Sequence, residues 1–142
     1  MSVFIDTGVF VGYVNKKDEN YGIAVNLLER IMRNKYRAAF TSDYVFDEAV
    51  TVALYRTKDI RKAIDVGKLI VGDEEKRITR FVNILPVSKS IFNEVWGLFS
   101  KYPEKMMSFT DCTSIALIRG REIDYIASFD RDFDGIVNRV RE

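Results

Sequence analysis

The sequence predicts an α/β protein: a three-layer α/β/α sandwich on a central, mainly parallel sheet of four or five strands. Two observations carry that expectation. Short apolar runs at 2–5, 38–41 and 125–129 end at turn-forming or polar residues. Between them lie longer stretches in which apolar side chains recur at helical spacing, at 21–35, 43–56, 58–71 and 108–120. Strands that alternate with helices in this way pair in parallel, with the helices covering both faces of the sheet. The chain has 142 residues, enough for one domain with a core of its own. It shows no internal repeat, low-complexity segment or linker, so a single domain over residues 1–142 is expected.

Taken in order, Ser2-Val3-Phe4-Ile5 is a buried strand that Asp6-Thr7-Gly8 breaks, and residues 9–14 begin a helix. Residues 16–20 are a polar loop. The helix at 21–35 puts Ile23, Leu27, Leu28 and Ile31 on one side, and Glu29, Arg30 and Arg33 on the other. A second strand is expected at 38–41. Ser42 or Asp43 caps a helix that runs to about Arg56, with Val45, Ala49 and Val52 on its apolar face and Glu48 on that same face. Another amphipathic helix covers 58–71. Residues 72–76 form a solvated turn, and 78–85 alternate in part and read as a third strand, stopped by Pro86. Ser88 or Ser90 caps a helix through Phe92, Val95, Trp96 and Phe99, and Pro103 closes that segment. The helix at 108–120 follows. A strand at 125–129, a turn at 130–133 and an edge strand at 136–140 complete the chain.

Composition narrows the chemistry. Apolar residues make up 47% of the chain and aromatic ones 13%, which is globular composition. No apolar run approaches the roughly 20 residues that span a bilayer, and no export signal is visible, so a cytoplasmic protein is expected. One cysteine excludes an internal disulfide. A net charge of +1 gives no global field for a polyanion. Histidine is absent. That removes Ser-His-Asp and Cys-His catalysis, His-Glu zinc peptidases and nucleases with a histidine base. A metal site, if present, uses oxygen ligands, which favours magnesium or manganese.

The acids that remain are placed suggestively. Asp6 and Asp130 stand at the C-terminal ends of predicted parallel strands, where ligands bind in such sheets. Glu48 lies one turn inside the helix that follows the second strand. Each acid alone has a structural explanation. Asp6 can cap the turn at Thr7-Gly8, Asp130 can cap the turn before Arg131, and Glu48 can reach water from the edge of its face. Ser108-x-x-Asp111 fits a capping box. Gathered at one edge, however, four carboxylates repel and raise one another's pKa values, a penalty that a divalent cation removes. Phosphoryl transfer is the reaction class that most often needs such a cluster.

Four segments resemble the acidic motifs of PIN domains. They are Phe4-Ile5-Asp6-Thr7-Gly8-Val9-Phe10, Thr41-Ser42-Asp43-Tyr44-Val45-Phe46-Asp47-Glu48, Ser108-Phe109-Thr110-Asp111 and Ala127-Ser128-Phe129-Asp130-Arg131-Asp132-Phe133. Their order and spacing match over nearly the whole chain, and the likeness is greatest to the small prokaryotic type that includes the VapC toxins of toxin–antitoxin pairs. The resemblance implies a PIN-like fold and a metal-dependent endoribonuclease that hydrolyses RNA phosphodiester bonds. It implies Asp6, Glu48, Asp111 and Asp130 as the catalytic, metal-binding set for Mg²⁺ or Mn²⁺. Thr7 or Ser128 is then a hydroxyl that orients a carboxylate or phosphate, and Asp132 an additional acid, with Asp134 and Asp47 weaker candidates. Gly8 departs from the family, which usually has Asn or Ser there. A homodimer and a small antitoxin protein are the implied partners; the apolar and aromatic side chains on more than one side of the helix pair from Tyr44 to Ile70 suit such a docking surface, and they also suit plain packing. Lys16, Lys17, Arg131 and the Arg56-Lys58-Arg61-Lys62 cluster are candidate RNA contacts. For most of these cations an ordinary solvated helix face is the simpler explanation. A housekeeping RNA-processing or structure-specific nuclease of the same fold, or a non-catalytic nucleic-acid-binding module, is the alternative function.

Overall fold

The structure, a computed structural model, describes residues 1–101 and 103–142. Five strands form one sheet: β1 (Ser2–Ile5), β2 (Ala38–Ser42), β3 (Asn83–Leu85), β4 (Tyr125–Ala127) and β5 (Arg139–Val140). Their order is β3-β2-β1-β4-β5, and every pair is parallel. In β1, Val3, Phe4 and Ile5 are fully buried, as a central strand covered on both faces requires.

Among the described residues six α-helices connect the strands: α1 (Thr7–Val14), α2 (Tyr21–Met32), α3 (Asp43–Thr57), α4 (Ile60–Val71), α5 (Lys89–Leu98) and α6 (Phe109–Gly120). The chain steps from β1 to β2 to β3 in one direction, then returns past β1 to β4. Right-handed crossovers therefore put α1–α4 on one face and α5–α6 on the other. The packing agrees: α1 lies against α2, α3 and α4, and α5 packs on α6, with α3 also touching α6. This is the three-layer sandwich that the sequence predicts.

The topology also fixes a site. The strand order reverses between β1 and β4, and in open parallel sheets ligands bind beyond the carboxyl ends of the strands at that reversal. Asp6 follows β1 directly, and Ser128 follows β4. The Thr41 hydroxyl donates to the Ile5 carbonyl at 2.9 Å, which ties β2 to the end of β1 at this edge.

Several boundaries differ from the sequence expectation, each for a local reason. α2 stops at Met32 and not at 35, because Asn34 adopts a left-handed conformation (φ 65°). α4 begins at Ile60, after Lys58 has closed α3 in the left-handed region and Asp59 has capped the new helix through Arg61 N–H. The strand expected at 78–85 is only Asn83–Leu85. Ile78 instead exchanges backbone hydrogen bonds with Asp73 across a tight turn, so alternation there reflects a bridge and not a ladder strand. The last two strands are shorter than expected, at Tyr125–Ala127 and Arg139–Val140.

Candidate metal centre

Asp6, Glu48 and Asp111 meet at the carboxyl edge of the sheet, on three different elements. Each offers an oxygen, and these three oxygens lie within 4.8 Å of one another. Asp6 reaches the site as the residue between β1 and α1. It occupies the N-cap position of α1, yet its side chain makes no capping hydrogen bond. Glu48 arrives from the second turn of α3, whose N-cap is the buried Ser42. Asp111 comes from the first turn of α6. The capping box expected there is present: the Ser108 hydroxyl accepts from Asp111 N–H at 3.0 Å, and Asp111 Oδ2 accepts from Ser108 N–H at 3.2 Å. Asp111 thus fills both roles that the sequence allows it, capping its helix and facing the other two acids.

Hydroxyls hold two of the carboxylates in place. The Ser128 hydroxyl donates to Asp6 Oδ2 at 2.7 Å and itself accepts from Asp130 N–H at 3.0 Å. The Thr7 hydroxyl donates to Glu48 Oε1 at 2.6 Å. Both hydroxyls therefore orient carboxylates.

Asp130 and Asp132 lie differently. β1 and β4 are neighbours, but the group that meets Asp6 across them is Ser128 and not Asp130. Asp130 is exposed at the rim of the cleft, and its Oδ1 accepts from Asp132 N–H at 2.9 Å, capping a short 3₁₀ turn over Arg131–Phe133. Its carboxylate stands outside the three-oxygen group but close enough for its charge to be felt at Asp111. Asp132 is absent from the cleft lining, and Asp134 is engaged by Arg139 at 2.7 Å.

The electrostatics follow from this crowding. Burial, and after it the charge of Asp111, pushes the Asp6 carboxyl up to about 7, against the Ser128 hydroxyl and the Thr7 backbone N–H. Burial also pushes Asp111 up to about 6; Glu48 and Asp130 add to the rise, and the Ser108 N–H opposes it. Asp6 Oδ1 is buried and has no hydrogen-bond partner. A buried, unpartnered carboxylate oxygen costs several kcal/mol, in order of magnitude, unless something neutralises it. The donor set is all oxygen and all carboxylate, which fits a hard divalent cation and no soft one.

The acids open into a cleft of about 660 Å³. Its lining also includes Asn15, Lys17, Asp18, Glu19 and Arg56, with Arg56 3.7 Å from Asp18. Lys17 and Arg56 are among the cations the sequence singles out, whereas Asp18 carries no signal there. It sits in a polar loop, and only the close packing of α1 on α2 and α3 brings that loop to the site.

A model of the PIN domain matches residues 3–138. The 23S rRNA-specific endonuclease VapC20 of Mycobacterium tuberculosis is 27% identical over 131 residues, which cover 92% of this chain and 91% of that protein. A VapC ribonuclease of Archaeoglobus fulgidus is 25% identical over 134 residues, 94% of this chain and 80% of that one. The crystal structure of M. tuberculosis VapC20, a Sarcin-Ricin loop cleaving toxin, superposes with a TM-score of 0.80, covering 99% of both chains at 27% identity. VapBC2 from Rickettsia felis, bound to a DNA fragment from its promoter, has a TM-score of 0.67 over 99% of this chain and 98% of that one, at 13% identity, and shares the fold.

Proposed function

The chain belongs to the PIN domain family, and from that premise we propose that it is a metal-dependent endoribonuclease, the toxin of a toxin–antitoxin pair. The observation that carries this reading is the buried, unpartnered Asp6 oxygen beside Glu48 and Asp111, at the point where the strand order reverses.

Asp6, Glu48 and Asp111 would hold Mg²⁺ or Mn²⁺, with Asp130 joining from the rim. When bound, such a cation makes water nucleophilic near neutral pH and offsets charge on the phosphodiester. The chain's own residues do the rest. Ser128 and Thr7 fix the carboxylate orientations, and the capping box fixes Asp111, so the oxygens are preorganised on rigid elements. With no histidine in the chain, a proton released from water leaves to a carboxylate or to solvent. Asp130 is the acid with the freest access to solvent and suits that task.

The relatives named VapC support the toxin assignment, and a VapC toxin implies a small antitoxin partner and a cytoplasmic setting. No helix among the described residues is long and apolar enough to cross a membrane. Tyr55, Ile60 and Ile64 are exposed on the α3–α4 pair, which supports a homodimer or antitoxin contact there.

The test is cleavage of defined RNA oligomers with Mn²⁺ and with EDTA. Wild-type protein should cut with Mn²⁺ and not with EDTA, and Asp6→Asn and Asp111→Asn should each lose at least about a hundredfold in rate. Full activity in those variants contradicts the assignment.

A further inference from the structure

A second groove, of about 490 Å³, opens beside the acid cleft and shares Asn15, Lys17 and Arg56 with it. Its other cations are Lys16 and Lys62. The groove thus carries four cations against one acid, Asp59, whose carboxylate is turned to the N-terminus of α4, accepting from Arg61 N–H at 2.9 Å, while Arg56 is also paired with Asp18 of the acid cleft at 3.7 Å. Lys16 and Lys17 form no ion pair among the described residues.

The placement is directional. Glu48, Val52 and Arg56 are spaced by four residues and line one side of the acid cleft from a single face of α3. Arg56 therefore stands about 12 Å along the helix from Glu48. Beyond it, where α3 gives way to α4, the groove continues past Thr57 to Lys62. The molecule as a whole has a net charge of only +1, and the acid cleft itself repels a polyanion. Lys17 and Arg56, then Lys16 and Lys62, lead out of the acids in one direction, with Asp18 and Glu19 beside the first pair.

We propose that this line is the track for the single-stranded RNA that flanks the cleaved bond. The strand runs from Glu48 along α3, with successive phosphates on Arg56 with Lys17 and then on Lys62 with Lys16. The proposal rests on the nuclease reading for the identity of the strand. It does not depend on the number of metal ions. Contacts of this kind go to phosphates, so they position the strand without reading its sequence.

The experiment measures binding apart from cleavage. Fluorescein-labelled oligouridine is titrated with Asp111→Asn protein in Mg²⁺ over a series of salt concentrations. The same protein carrying Lys17→Ala, Arg56→Ala and Lys62→Ala is compared with one carrying Arg33→Ala and Lys35→Ala, two exposed cations just past the C-terminal end of α2. Melting curves confirm that each variant is folded. The track predicts at least about tenfold weaker binding for the groove variant and a salt slope shallower by about two, since each lost contact removes about 0.7 from the slope for single strands. The α2 variant should bind like its parent. Equal affinity and slope in the two variants, or no RNA binding by the parent, overturns the track. Cleavage by the wild-type chain is scored separately. Cutting without groove dependence refutes the track alone, and groove-dependent binding without cutting refutes the nuclease reading alone.

Discussion

Asp6 has one oxygen on the Ser128 hydroxyl and the other on nothing, at 7% exposure. An ionised carboxylate in that position destabilises the fold that holds it. Its raised pKa expresses the same fact: the folded protein holds this proton up to about pH 7, while the unfolded chain loses it near the ordinary value of 3.8. A single change separates function from stability here. Asp6→Asn keeps an acceptor for Ser128 and removes the charge. At pH 8 without metal, its melting temperature should equal or exceed that of wild type by calorimetry, while the rise produced by Mn²⁺ in wild type should disappear. A marked loss of stability in the metal-free variant would mean that Asp6 is structural. The supporting hydroxyl has its own signature. Thr7→Ala frees the Glu48 carboxylate and should weaken Mn²⁺ binding by about 10- to 100-fold, with Thr7→Ser restoring most of it. Titration of both variants checks this, and unchanged affinity in the alanine variant removes the role given to Thr7.

Among the elements, α6 shows how a structural signal and a functional one coincide. Ser108-x-x-Asp111 is a true capping box, and the same Asp111 completes the acid group. Ser108→Ala should lower stability by about 1 kcal/mol in urea unfolding, and an unchanged midpoint would show that the box contributes nothing. This coincidence explains what the sequence could convey. Its four acidic segments were legible because three of them sit next to strand ends or helix starts, which turn residues and caps mark. Their convergence was legible only through the likeness to a family, since periodicity does not tell which strands are neighbours. The place of Asp130 was not legible: whether a carboxylate three residues past a strand turns inward or caps the next turn depends on a backbone detail. Nor was Asp18, which long-range packing alone carries to the cleft. Alternation at 78–85 extends beyond the strand because it also arises in the bridge between Asp73 and Ile78.

At the scale of the whole molecule, the sheet order and the charge distribution act together. The reversal between β1 and β4 creates a crevice, three elements aim acids into it, and cations gather to one side of it, where the loop after α1 meets the end of α3 and the start of α4. The global consequence is a coupling of stability, protons and metal. Both raised groups bind protons more tightly in the folded state, so their contribution is complete below the ordinary carboxylate range. It is lost as pH rises through about 6 for Asp111 and about 7 for Asp6. A bound cation should replace those protons and restore the stability that high pH removes.

Calorimetric titration of Mn²⁺ into the wild-type protein at about pH 6.5, in two buffers of different ionisation enthalpy, tests that coupling most directly. Saturable binding with net proton release is predicted, with release falling toward zero as pH approaches about 8. Both binding and release should be lost in Asp6→Asn. Binding of equal strength in that variant, or no binding to wild type at all, would contradict the metal centre at the heart of the account.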